Sequence, residues 1–165
     1  MKNKFAYVII PAAILIGFFV NSCKKTLDSD IPDLLVSGQW NLSSVTVMVT
    51  HGDTSLLDTT YAINCDQVFT FNADKTCTYT NFDCPAQSTI SKGDWELTGN
   101  RLILASNIVV QDTTLGSTKP FLYSTISSLG RYSMVLLTGD VINYNNSAIR
   151  RVVRYGFVRQ NTTTQ

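Results

Sequence analysis

From Gln39 to Gln160 the chain is written in short runs of Thr, Val, Ile, Tyr and Phe, cut at close intervals by Gly, Asn and Asp. Such runs are strand composition, and no stretch holds a helical period. Candidate strands are Gln39 to Val49, Gln67 to Asn72, Thr76 to Phe82, Gly93 to Thr98, Arg101 to Gln111, Phe121 to Ser127, Tyr132 to Thr138 and Ile149 to Gln160. Between them, Asn72-Ala73-Asp74-Lys75, Gly99-Asn100 and Gly139-Asp140 carry residues that tolerate positive φ or form Asx turns, as tight hairpins require. Eight strands with short connections describe an antiparallel meander, and the lack of helical period excludes a parallel α/β fold.

Alternation assigns the faces of these strands. Phe69 and Phe71 share one side of the second strand; Tyr132, Met134 and Leu136 do so in the seventh, and Val153, Tyr155 and Phe157 in the last. The first strand breaks parity, because Trp40 and Leu42 fall on one side and Val45, Val47 and Val49 on the other. A bulge at Ser43-Ser44 returns all five to one face. An open sheet of this length exposes two edges, and closure into a barrel removes both. The expected fold is all-β, an eight-stranded antiparallel up-and-down barrel, with a two-sheet sandwich as its competitor.

The N-terminus reads differently. Lys2 and Lys4 precede an uncharged run from Phe5 to Val20, and Ser22 stands just before Cys23. These are the n-region, h-region and cleavage zone of a signal peptide. The run is shorter than the roughly 20 residues of a membrane-spanning helix, and Pro11 interrupts it. Val20-Asn21-Ser22-Cys23 resembles the bacterial lipobox, which implies cleavage before Cys23 and acylation of that residue; Asn21 is a less usual filler of the pattern. The expected organisation is a signal peptide over 1–22, a lipidated tether over 23–36, the barrel over 37–160 and a polar tail over 161–165. Without Lys2 and Lys4 the 13 basic residues fall slightly below the 12 acidic ones, a balance that gives no electrostatic reason to expect nucleic acid.

Gly38-Gln39-Trp40, opening the first strand after the short apolar turn Leu34-Leu35-Val36, is similar to the Gly-x-Trp signature of lipocalins. Phe69-Thr70-Phe71-Asn72-Ala73-Asp74-Lys75-Thr76, then Gly93-Asp94-Trp95-Glu96-Leu97 and Leu102-Ile103-Leu104, resemble the central hairpins of bacterial lipocalin-like lipoproteins. Lys75 stands where that family commonly has Gly, which implies a different or slightly strained turn. The resemblance also implies that the signature Trp40 is covered at the closed end by an Arg from late in the chain. Arg159 meets that condition, because it ends the strand that neighbours the first in a closed meander; Arg154 and Arg151 are the alternatives.

Three cysteines follow Cys23, and an exported protein meets an oxidising compartment. If Asn72 pairs with Cys77, then Cys65 lies opposite Cys84 on the Phe69 and Phe71 face, and Cys77 points the other way. The expected disulfide is Cys65 to Cys84; three free thiols or a bridge through Cys77 are the alternatives.

Catalytic chemistry is hard to find. His51 is the one histidine and sits in the turn Thr50-His51-Gly52-Asp53. The cysteines lack metal-ligand spacing, and there is no Gly-rich phosphate loop or nucleophile elbow, so no metal, cofactor or catalytic residue is expected. Asp94 and Glu96 on one strand face, and Arg150, Arg151 and Arg154, read as solvated wall. The expectation is a non-enzymatic lipoprotein of the bacterial cell envelope, at the outer membrane, held in the membrane by lipid on Cys23. Its inward Phe69, Phe71, Tyr132, Met134, Tyr155 and Phe157 would surround a small apolar or amphipathic ligand, with His51 to Asn64 as a lid or plain loop. The alternative is a filled barrel acting on an envelope protein partner, or inhibiting a hydrolase, through its loops.

Overall fold

A computed structural model describes residues 30–84, 90–100, 102–112, 116–142 and 147–160. Apart from Asp30 they belong to the compact unit Ile31–Gln165. The signal segment, Cys23 and the polar tail lie outside the described residues.

The chain enters through a short helix, α1 (Asp30–Val36). Pro32 in its first turn and two acidic residues near its start suit a helix N-terminus. It is followed by β1 (Gln39–His51), β2 (Thr54–Ala62), β3 (Val68–Phe71), β4 (Thr76–Thr80), β5 (Ser91–Leu97) and β6 (Ile103–Ser106). Then come β7 (Val110–Asp112), β8 (Gly116–Thr118), β9 (Ser124–Leu129), β10 (Ser133–Gly139) and β11 (Ile149–Arg159). The sheet runs β11-β10-β9-β6-β5-β4-β3-β1, and β1 pairs again with β11, so eight antiparallel strands close into a barrel. The sandwich is thereby excluded. β7 and β8 form a separate two-stranded excursion, and β2 flanks β1 outside the cylinder.

The bulge falls where parity demands it: the β1–β11 register shifts between Leu42 and Ser44. After the shift Val45 lies opposite Tyr155 and Val47 opposite Val153, and both valines pack against the core.

Two connections differ from the sequence expectation. His51 to Asn64 is not a lid; most of it is β2, an arm antiparallel to β1 from Ser44↔Ala62 to His51↔Thr54. The single strand expected over Arg101 to Gln111 breaks in two, because the chain bends at Asn107 and passes over Gly93. A Cβ on Gly93 would stand 2.7 Å from the Ile108 Cα, so only glycine permits this crossing. The bend carries Ile108 and Val110 into the interior, where both are fully buried.

Register defines two ends. β1 starts and β11 finishes at the end that α1 covers, which also holds the β3–β4, β5–β6 and β9–β10 turns. The other end holds the β1–β2, β4–β5, β6–β9 and β10–β11 connections.

Candidate functional site

The closed end is built around Trp40. Its indole is fully buried and donates from Nε1 to the Leu35 carbonyl at 2.9 Å, satisfying one of the carbonyls that the helix end leaves without a partner. Arg159 lies directly across the ladder from Trp40, with its guanidinium carbon 4.6 Å from the ring centroid. It donates from an Nη to the Leu34 carbonyl at 2.7 Å. Burial, then the Arg131 charge, lowers its pKa from the ordinary arginine value. Gly38 explains the signature: a Cβ there would approach the Arg159 Cδ at 3.2 Å, so the missing side chain makes room for the stem of the covering arginine. This end is a structural cap, and Arg154, exposed on the outer wall beside Thr46, takes no part in it.

Lys75 takes a positive φ of 72°, as its replacement of glycine implies. Its ammonium lies 3.9 Å from the Trp95 ring centroid, an attraction that offsets backbone strain of similar size, about 1 kcal/mol. Beside it, side-chain and backbone hydrogen bonds from Thr76 hold the exposed Asp74 carboxyl below its ordinary pKa.

The turn also corrects the β3–β4 register. Phe71, not Asn72, pairs with Cys77, because Asn72 and Thr76 close a three-residue loop around Ala73, Asp74 and Lys75. Cys77 therefore points inward, 1% exposed, where its thiol lies 3.2 Å from the Ser106 hydroxyl. Burial pushes that thiol up from its ordinary pKa, against the Ser106 hydrogen bond, so it is a packed side chain of low reactivity. The Cys65–Cys84 disulfide is present all the same, with Cα atoms 5.6 Å apart. The ladder ends at Val68↔Thr80, and positive φ at Asn81, Asp83 and Cys84 curls the chain back toward Cys65. Buried Gln67 ties this corner together: its amide nitrogen lies 3.6 Å from each sulfur, and its oxygen accepts from the Tyr79 hydroxyl at 3.2 Å.

The interior contains five of the six residues expected to form the ligand wall: Phe69, Phe71, Met134, Tyr155 and Phe157 are buried. Tyr132 is not among them. It precedes β10 in the bend closed by the Gly130 amide and the Ser133 carbonyl, and is 64% exposed. The buried rings pack against one another. Phe121, from the link before β9, is fully buried with its centroid 4.9 Å from Phe69, 5.1 Å from Tyr155 and 5.5 Å from Tyr79. The strand expected over Phe121 to Ser127 starts only at Ser124, so Phe121 reaches the centre from a loop and not by strand alternation. Burial also pushes the Tyr79 phenol well above its ordinary pKa.

The open end has a different character. Leu56 and Leu57 from β2, Ile90 before β5, Val109 before β7, Leu122 and Tyr123 before β9, and Ile142 and Ile149 around the β10–β11 connection are all exposed. Most exposed large apolar side chains of the described residues gather here. Cross-strand partners share a face, so Leu57, Thr59 and Tyr61 lie on the same side of the β1–β2 arm as Val49, Val47 and Val45. That side continues the inner wall, and Tyr155 and Val153 extend it across the β1–β11 ladder. Apart from the rim, a hollow of about 870 Å³ runs along β5 and β6, lined by Asp94, Glu96, Asn107, Leu122 and Tyr123 together with Pro32 of α1 and Lys75 of the β3–β4 turn. Among the described residues no group of three His, Cys, Asp or Glu could hold a metal, and no helix is long and apolar enough to cross a membrane.

No curated protein and no solved structure matches the chain. The family model of the lipocalin-like domain matches residues 36–129, from the end of α1 through β9. That span takes in the Gly38-Gln39-Trp40 opening, both central hairpins and the disulfide corner, and it covers more than half of the sequence: the chain belongs to the lipocalin-like domain family.

Proposed function

We propose that this chain is an exported, lipid-anchored, non-catalytic binding protein that takes a small apolar or amphipathic ligand at the open end of its barrel. One observation carries the reading: the exposed apolar side chains collect on that rim, above a floor of buried rings. A soluble domain has no folding reason to gather Leu56, Leu57, Tyr123, Ile142 and Ile149 at one end, and exposed apolar patches mark interaction sites. The ligand lies against Val45, Val47, Val49 and Leu57, with Tyr155 and Phe121 beneath it. Depth is limited, because Phe121, Ile108 and Val110 occupy the space that an open barrel offers.

The anchor reading is supported by the sequence from Lys2 to Cys23, whose acylated cysteine would hold the barrel at the outer membrane of a bacterial envelope. A second reading, action on an envelope protein or hydrolase through the rim loops, is favoured by the same filled interior, since a packed barrel presents its chemistry outward. Mass spectrometry of the full protein purified from its native membrane separates them. The expected spectrum shows chain beginning at acylated Cys23 and carrying a small apolar molecule. Unmodified Cys23 sinks the anchor, and a stoichiometric protein partner without a small molecule sinks ligand carriage in favour of the second reading.

A further inference from the structure

We infer that two copies of this chain join through the free edge of β2, their strands running antiparallel about a two-fold axis at Thr59. The barrel leaves no edge open, yet β2 pairs with β1 alone among the described residues. It is nine residues long, without Lys or Pro and with Asp58 as its one charge, whereas natural edge strands are commonly protected by Lys, proline or brevity.

The backbone shows which groups are available. Ile63 N donates to the Ser43 carbonyl, so alternation turns the amides and carbonyls of Leu57, Thr59 and Tyr61 toward β1. Those of Asp58, Thr60 and Ala62 then point away from the barrel. Thr46 and Thr60 fit this register, since their hydroxyls meet at 2.9 Å across a closely spaced, non-hydrogen-bonded pair.

The side chains choose the partner. Leu57-Asp58-Thr59-Thr60-Tyr61 reads apolar, polar, Thr, polar, apolar in both directions. With the axis on Thr59, Leu57 lies opposite Tyr61 of the second copy on one face, and Asp58 opposite Thr60 on the other. Apolar thus meets apolar twice, each carboxylate meets a hydroxyl, and no like charges oppose. An axis on Asp58 would set two carboxylates against each other. Leu57 is 41% exposed and Tyr61 52%, so both have surface to bury. Asp58 and Thr60 supply about four new backbone hydrogen bonds, the strand-addition mode of recognition applied to an identical chain.

The test places a cysteine on the axis. Opposed Cα atoms of a non-hydrogen-bonded pair stand about 4.5 Å apart, within disulfide reach, whereas diagonal neighbours lie roughly 7–8 Å apart. The full chain carrying Thr59→Cys, purified in neutral detergent and oxidised, is expected to form a covalent dimer beyond the background of the unsubstituted chain. Asp58→Cys is expected to give at least about tenfold less. Adding Thr60→Pro removes an outward amide that the barrel does not use, and should lower the Thr59→Cys dimer by a similar factor. Should that proline disturb folding, the exposed substitution Tyr61→Asp serves instead. A Thr59→Cys chain that stays monomeric, links no better than Asp58→Cys, or links to a different protein overturns the inference. Because the readout is the mass of the linked chain, it is independent of ligand binding at the rim.

Discussion

The closed end shows how far single residues decide this architecture. Trp40, Arg159 and Gly38 work as a unit: the glycine leaves space, the arginine covers the indole, and both polar side chains bond to carbonyls at the end of α1. Truncating Arg159 removes a cation–π contact and strips the Leu34 carbonyl of its charged donor. Arg159→Ala is therefore expected to cost about 2–3 kcal/mol in urea unfolding, and Arg159→Lys most of the same, since an ammonium lacks the planar fork. A loss below about 0.5 kcal/mol would show that the cap is decorative. The arginine was legible in the sequence through its strand position and a family resemblance. The Cys77 orientation was not, because it depends on whether the loop at Lys75 holds three residues or four, and a one-residue slip reverses every side chain.

Elements were readable in proportion to how one-sided their burial is. β3, β10 and β11 bury one face and solvate the other, so Phe69 with Phe71, Met134 with Leu136, and Tyr155 with Phe157 announced themselves by alternation. β2 has eight of its nine residues exposed and one neighbour among the described residues, so no periodic pattern was required of it and none marks it. The bend at Asn107 was hidden for another reason: its cause, the absent side chain of Gly93, belongs to a different strand. Phe121 escaped both rules by entering from a loop. It nonetheless meets the rings of Phe69, Tyr79, Phe82, Tyr155 and Phe157. Phe121→Ala should thus cost about 3–5 kcal/mol in chemical denaturation, the range for a buried ring lost from a core that cannot fully collapse. A cost below about 1 kcal/mol would mean that the interior repacks freely and that the barrel centre is available to ligand after all.

At the scale of the whole molecule the barrel separates two tasks between its ends. One end is sealed by a helix, a buried indole and a guanidinium; the middle is filled by aromatic side chains; the other end carries an apolar rim that folding does not require. On the proposed reading, that division puts the ligand at the rim, not along the axis. Methyl NMR of the full protein in neutral detergent, titrated with a medium-chain fatty acid, examines this most directly against a detergent-matched blank. The account predicts shifts in the methyls of Val45, Val47, Val49, Leu57 and Ile149, with those of Leu35 and Leu104 unmoved. Shifts centred on Leu104, Met134 and Leu136, or none at the rim at millimolar ligand, would contradict it.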